Sequence, residues 1–301
     1  MRTLVTGANG FIGSHLVKRL LLDGHFVVAL DRFRQGKKNY ADSMRNHPKL
    51  TLVKADLAIK REIRGAYFKD IDWVFHLGAV SKTEESFERP VYYHQVNVSG
   101  TFYVLMAARE AQIKRFIYAA SASCYGVQNY WPTPEEAEIK LDSIYAASKY
   151  LGEHLVLHFG KVYKMPVISL RMVSVYGPKL IKGGSYGSIL TKFMRQKEAG
   201  QEFTVVGDGR QRRDLVYVED AVEAFMLAAK SKITNEVSNI GGENTYSILE
   251  IVRLLGGKIT YLPKRPWEGS FKQVDTSKIK RLLGWKPKVD LKEGIGRILQ
   301  G

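Results

Sequence analysis

Short apolar runs alternate with longer amphipathic ones along most of the chain. Leu4-Val5 reads as a buried strand, and after a glycine-rich turn the spacing predicts a helix over Ser14–Leu22. Phe26–Leu30 is a β-rich run closing on Asp31, and Leu50–Val53 and Trp73–His76 are two more. The pattern predicts a long helix over Val96–Ala111, a strand over Arg115–Ala119, a helix over Ile144–Tyr163 and a strand over Pro166–Leu170. Alternation of this kind predicts an α/β fold, with a doubly wound parallel sheet covered by right-handed crossovers. After Pro178 the rhythm loosens and glycines crowd positions 183, 184 and 187, which predicts a smaller, mixed α/β C-terminal lobe packed on the first.

Composition narrows the class. The 301 residues are 45% hydrophobic and 25% charged, as in a packed globular chain rather than a disordered or collagen-like one. No apolar stretch approaches the ~20 residues that span a bilayer, and the chain opens at Met1-Arg2-Thr3-Leu4 with no signal-peptide pattern, so a cytoplasmic protein is expected. The single cysteine, Cys124, excludes an intramolecular disulfide and a multi-cysteine zinc site. Forty-six Lys+Arg against 30 Asp+Glu leave a formal charge of +16, with small clusters such as Arg32–Lys38 and Arg210–Arg213. Such a field draws nucleic acid, anionic membrane or a negatively charged small substrate. There is no basic tail, zinc-finger or RNA-recognition signature, which argues against a nucleic-acid partner. The histidines show no metal-ligand spacing with carboxylates, so no metal is expected.

The first chemical signal is Thr6-Gly7-Ala8-Asn9-Gly10-Phe11-Ile12-Gly13, placed between the first strand and the first helix. Glycines serve there to tighten the turn, to let backbone approach a pyrophosphate and to pack helix on strand. A helix N-terminus also presents free N–H groups and partial positive charge to phosphates. Asp31 closes the second strand at about the ~20-residue distance of a dinucleotide fingerprint. Its carboxylate would accept from the adenosine ribose hydroxyls and repel a 2′-phosphate, which favours NAD; Arg32, next in line, would suit NADP.

The second signal is Tyr145-Ala146-Ala147-Ser148-Lys149 on the helix predicted over Ile144–Tyr163. Spacing i, i+4 puts Tyr145 and Lys149 on one face. A tyrosine near pKa ~10 is a useless base at neutral pH, but a nearby ammonium and a cationic nicotinamide stabilise its phenolate. Ser121 follows a strand, where a side chain reaches the C-terminal edge of the sheet. Cys124 beside it lacks a cationic activator and reads as an inert buried thiol. His76 reads as structural, and Phe102, Tyr103 and Phe225 as core.

These segments together resemble the extended short-chain dehydrogenase/reductases, the NAD-dependent sugar-nucleotide epimerase/dehydratase family. The resemblance rests on the glycine turn, Asp56-Leu57, His76-Leu77-Gly78-Ala79, Asn97-Val98-Ser99-Gly100-Thr101 and Tyr145-x-x-x-Lys149. It continues through Tyr176-Gly177-Pro178, Arg213-Asp214-Leu215-Val216-Tyr217-Val218 and Leu283-Gly284-Trp285-Lys286-Pro287, in order over essentially the whole chain. It implies an NAD-binding Rossmann domain over residues 1–172, to which about 214–242 returns, and a sugar-nucleotide domain from 173–213 and 243–301. NAD would meet Gly7, Gly10, Phe11, Ile12, Gly13, Asp31, Arg32, Asp56, Leu57, Leu77, Gly78, Ala79, Asn97, Tyr145, Lys149 and Val173. Ser121, Tyr145 and Lys149 would be the catalytic set. A nucleotide-sugar, expected to be a UDP-sugar, would meet Ser81, Ser121, Ser123, Tyr145, Ser174, Arg213, Arg265, Glu268 and Lys272. The helices predicted over Val96–Ala111 and Ile144–Tyr163 match those of the family's homodimer interface.

Family dehydratases carry Thr-Asp-Glu before the Tyr-Gly pair, where this chain has Ser121-Ala122-Ser123-Cys124-Tyr125-Gly126. Elimination of water needs an acid and a base there, so the segment is instead similar to that of UDP-galactose 4-epimerases. The resemblance implies that Tyr145 takes the C4 hydroxyl proton while NAD takes the C4 hydride, and that the 4-keto sugar turns before the hydride returns. UDP-galactose/glucose leads as substrate. Ser174, where sugar epimerases often have asparagine, and Lys272 keep N-acetyl and uronic forms open. Trp267 departs from the glycine usual after Arg265-Pro266, although the ten-residue spacing from Arg265 to Asp275 fits. A 4-keto-sugar reductase, a 2-epimerase and a non-catalytic dinucleotide sensor or nucleic-acid binder stand as alternatives.

Overall fold

A computed structural model describes residues 1–33, 44–178, 189–264 and 273–300. Its centre is a seven-stranded sheet of β1 (Arg2–Thr6), β2 (Phe26–Asp31), β3 (Leu50–Lys54), β4 (Trp73–His76), β5 (Arg115–Ser121), β6 (Val167–Met172) and β10 (Glu236–Ile240). The spatial order is β10-β6-β5-β4-β1-β2-β3, and every pairing is parallel. The chain builds outward from β1 in one direction, then returns to lay β4 on its other side. That reversal between β1 and β4 opens a crevice at the C-terminal strand ends, where open α/β sheets bind ligands.

The strands are apolar on both faces, as burial by helices on each side requires. Val5, Ala29, Phe75 and Ile117 face one apolar core, and their neighbours Leu4, Val28, Val74 and Phe116 face another. α1 (Phe11–Leu22) starts three residues before the expected Ser14, because Gly10 is its N-cap and the helix begins directly on the glycine turn. The helix expected over Val96–Ala111 is interrupted. α2 (Thr83–Glu88) and α3 (Pro90–His94) precede a π-helical turn at Gln95–Ser99, and only then does α4 (Gly100–Glu110) run regularly. The Thr101 hydroxyl donates to the Asn97 carbonyl (2.7 Å), occupying an acceptor within that turn. Phe102, expected in the core, is 40% exposed on α4, whereas Phe225 is fully buried.

α5 (Ile144–Tyr163) begins at Ser143, whose hydroxyl accepts from Ala146 N–H (3.2 Å). Beyond it lie β7 (Ser174–Tyr176), α6 (Ile189–Glu198), β8 (Phe203–Val206), β9 (Arg212–Tyr217) and α7 (Val218–Lys230). They are followed by β11 (Thr245–Ser247), α8 (Ile248–Leu255), β12 (Ile259–Leu262), α9 (Ser277–Leu283) and α10 (Leu291–Gln300). β11-β9-β7 and β12-β8 form two small sheets, and α8 is closed by a Ser247/Glu250 capping box. Asp214 ties this region together, its buried carboxylate accepting from Gly242 N–H (2.7 Å) and Val274 N–H (3.0 Å). No helix among the described residues is long and apolar enough to cross a membrane.

Candidate active site

A cavity of about 370 Å³ occupies the crevice at the β1/β4 reversal. Its inner end is the glycine turn. Gly7 sits at φ +68°, and a Cβ there would fall 2.7 Å from backbone atoms of Gly78, so the turn and the β4 loop close against one another. A Cβ on Gly13 would lie 2.1 Å from the Gly7 carbonyl oxygen, which brings α1 onto the turn as no other residue allows. Gly10 caps α1 without a side-chain hydrogen bond, and Gly10, Phe11, Ile12 and Gly13 of the helix start line the cavity. These features fit a pyrophosphate.

At the outer end Asp31 accepts from Asn9 N–H (3.0 Å) and Arg32 N–H (2.7 Å). Burial pushes its carboxyl above the usual range, and those N–H groups pull it back. The Arg32 guanidinium turns to Asp56 (3.7 Å) and hydrogen-bonds the Tyr92 hydroxyl. Arg32 is therefore engaged inside the pocket, and Asp31 lines the same cavity at the end of β2, where a ribose-binding carboxylate is expected.

The residues expected to be catalytic meet where α5 passes the end of β5. Tyr145 and Lys149 both line the cavity, as do Ala119 and Ala120 of β5. The Ser121 and Ser123 hydroxyls are 2.9 Å apart, and the Ser121 hydroxyl reaches the Tyr145 phenol. Burial raises the Tyr145 pKa, with the Ser121 hydrogen bond opposing it. The sequence expectation gave the leading role to the Lys149 charge; in the folded chain burial is the largest influence on both groups, and it lowers Lys149 to about 7 with the Glu153 charge opposing. Dehydration outweighs the ion–ion attraction because both side chains leave water together.

Of the residues expected at the cofactor, Gly7, Gly10, Phe11, Ile12, Gly13, Asp31, Arg32, Asp56, Leu57, Leu77, Gly78 and Ala79 line this one cavity, with Ser81 beside them. Asn97 and Val173 are not on its wall. Asn97 is buried behind it, bonding Val80 N–H (2.9 Å), the Val80 carbonyl (3.0 Å) and the Ser148 hydroxyl (2.9 Å), and so holds the β4 loop against α5. Val173 is buried after β6, its N–H on the Ile240 carbonyl (3.1 Å). Ser174 and Arg213 stand on the paired strands β7 and β9, away from the cavity wall. Arg265, Glu268, Lys272 and Trp267 lie outside the described residues, as do glycines 183, 184 and 187 and basic residues 34, 37 and 38.

Sequence reasoning missed several participants. Lys82, Glu85, Arg89 and Tyr92 line the cavity mouth, with the Arg89 guanidinium 4.3 Å from the Tyr92 ring centre. Nothing in their local spacing aims them there. Behind α5, Arg171 is clasped by Glu153 (2.6 and 3.1 Å) and donates to the Tyr125 hydroxyl (2.9 Å), while Glu153 also accepts from Ser169 (2.8 Å). An arginine inside the apolar run Val167–Met172 was the available signal for this pair. Cys124 is buried, its thiol pushed up to about 12, in line with an inert role. His76 is held between the Thr6 (2.7 Å) and Thr101 (3.0 Å) hydroxyls and lowered by burial to about 3, in line with a structural one.

Residues 3–241 match the model of the NAD dependent epimerase/dehydratase family. The chain belongs to that family. It is an NAD-dependent enzyme, and the glycine cradle and Asp31 fit the cofactor. A UDP-glucose 4-epimerase of Mycolicibacterium smegmatis is 34% identical over 100% of this chain and 98% of its own. The crystal structure of a Thermotoga maritima UDP-glucose 4-epimerase with UDP-glucose superimposes with a TM-score of 0.91 at 30% identity, covering 100% of this chain and 98% of that one. A Bacillus cereus UDP-glucuronic acid 4-epimerase, solved with UDP-glucuronic acid and NAD, gives a TM-score of 0.91 at 29% identity with coverage of 100% and 98%.

Proposed function

We propose that this family member is an NAD-dependent UDP-sugar 4-epimerase. One observation carries the reading. Of the carboxylates on the cavity wall, Asp31 and Asp56 are engaged around Arg32 and Glu85 pairs with Arg89, whereas at the end of β5 the groups that meet the Tyr145 phenol are the Ser121 hydroxyl and, behind it, that of Ser123. Removal of water would need an acid and a base at that end, and the β5 exit supplies fully buried Ala122 and the hydroxyl of Ser123 instead. The Mycolicibacterium smegmatis, Thermotoga maritima and Bacillus cereus 4-epimerases above support the same reading, in a family that also holds decarboxylases and dehydratases.

When bound, NAD supplies the hydride acceptor and donor at C4 of the sugar. Tyr145 takes the proton of the C4 hydroxyl and gives it back to the epimeric oxygen. Ser121 hydrogen-bonds that oxygen, with Ser123 orienting the Ser121 hydroxyl. Lys149 contributes positive charge beside the phenolate, and the glycine turn holds the pyrophosphate. Arg213, with Arg265, Glu268 and Lys272, is assigned to the nucleotide-sugar, and Ser174 to its sugar ring. On this reading residues 1–172 with about 214–242 form the cofactor domain, and 173–213 with 243–301 form the sugar-nucleotide domain. The exposed Phe102 of α4 and Leu151 and Val162 of α5 supply an apolar face for a homodimer. UDP-galactose/glucose is the first choice of substrate, ahead of UDP-N-acetylglucosamine and UDP-glucuronate.

NMR of the purified protein with UDP-galactose, UDP-N-acetylglucosamine and UDP-glucuronate in separate tubes, no cofactor added, tests this. A C4 epimer in any tube supports self-contained hydride recycling and names the sugar, and Tyr145→Phe lowers the rate by about 10²–10⁴-fold. No conversion in any tube, even after NAD is added, overturns the epimerase reading in favour of a nucleotide-4-keto-sugar reductase.

A further inference from the structure

The Lys149 ammonium is buried at the cavity floor and makes no hydrogen bond or ion pair to a described residue. Glu153, one turn further along α5, is spent on Arg171 and Ser169. What lies against the ammonium is an aromatic face: its Nζ is 4.2 Å from the ring centre of Tyr118 on β5. That ring is itself fixed. It stacks on His76 (5.7 Å, 27°), and its hydroxyl donates to the Lys149 carbonyl (3.2 Å). The hydroxyl occupies space made by Gly152, where a Cβ would fall 2.5 Å away. The whole packing unit, from Thr6 and Thr101 through His76 and Tyr118, ends under the Lys149 side chain.

We propose that Tyr118 is the positioning residue of Lys149, its ring face holding the ammonium charged and aimed into the cavity. The proposal rests on the reading above only in giving that ammonium a catalytic use. The titratable groups around Lys149 are His76 from β4, Tyr118 from β5 and Glu153 on its own helix, with Tyr145 one turn before it and Tyr93 of α3 near Tyr145. His76 is kept neutral by burial, so no second cation competes for the ring. Burial pulls the Lys149 proton off, and the ring quadrupole opposes that loss.

The test replaces Tyr118 with phenylalanine, 4-fluorophenylalanine and pentafluorophenylalanine, which keep the ring's shape while draining its face of negative potential. Tyr118→Leu removes the ring by ordinary mutagenesis. Lys149 is followed by ¹³C NMR of protein labelled at lysine Cε, its peak assigned by disappearance in Lys149→Met. The midpoint stays near the wild-type value in Tyr118→Phe and falls stepwise along the fluorinated series, by about half to one pH unit at the pentafluoro ring and in Tyr118→Leu. The alkaline limb of kcat/KM moves down with it. An unchanged midpoint across the series overturns the proposal. A midpoint that falls in a protein that turns over no nucleotide-sugar leaves the Tyr118 assignment standing and overturns the epimerase reading instead.

Discussion

At the phosphate end of the cavity the wall is backbone, and it works because side-chain atoms are missing at Gly7, Gly10 and Gly13. At the end where Tyr145 and Lys149 stand, the wall is backed by side chains, and buried polar groups hold one another: Ser121 on Tyr145, Tyr118 under Lys149, Arg171 on Glu153. The first end fails by steric intrusion, the second by leaving a charge without its partner. A glycine cradle tolerates a change of solvent charge and no added methyl group. A buried ion pair tolerates small changes of shape and no loss of one member.

The contrast is broken most severely at Glu153. Glu153→Gln leaves Arg171, which the pair holds above its ordinary range, in the interior against a neutral amide. Urea unfolding is expected to show a loss of about 3–5 kcal/mol. If the loss is under about 1 kcal/mol, the pair is a tolerated ornament and the comparison with the glycine end falls. Gly13→Ala acts at the other end. The intruding Cβ forces α1 away from the Gly7 carbonyl, and NAD carried through purification falls by about 10–100-fold, corresponding to an overpacking cost of about 1–3 kcal/mol. Calorimetric titration with NAD reads it, and unchanged affinity would mean that the cradle is not where the pyrophosphate lies.

Asp214 sharpens the comparison from a third place, since it is a buried carboxylate with backbone N–H partners and no cation against it among the described residues. Its pKa is raised to about 7, chiefly by burial. The unfolded chain loses this proton near pH 4, the folded chain only near 7, so stability falls with rising pH across that window. The slope is on the order of 1 kcal/mol per pH unit from this group. Asp214→Asn flattens the decline between pH 5 and 7 while lowering stability at pH 5 through a mismatched amide. Parallel pH profiles of wild type and variant would show that the decline has another source.

Much of the cofactor end was legible because it is built from local chemistry. A strand, three glycines at fixed spacing and Asp31 lie within one stretch of chain, and each reports its own backbone need. Tyr145 and Lys149 were legible for the same reason, being one helical turn apart. Tyr118, Arg171 and Tyr92 were not, because each acts on a residue distant in sequence that only sheet register or the packing of a helix on the sheet brings close. Tyr118 stands opposite His76 in the β4–β5 ladder, and Arg171 reaches Glu153 across the α5–β6 layer. The direction in which Tyr145 is shifted also escaped sequence reasoning, which sees a neighbouring charge and not the loss of water around it.

The linear pattern of this chain thus determined the alternation of strand and helix, the glycine turn and the placing of Tyr145 and Lys149 on one helix face, since all three follow from spacing of about one turn or one strand. The tertiary structure alone decided that the sheet reverses between β1 and β4, that Asn97 supports the cavity wall rather than lining it, and that an aromatic face underlies Lys149. Those outcomes depend on register and burial, which arise when distant segments exclude water together and cannot be read from any one of them.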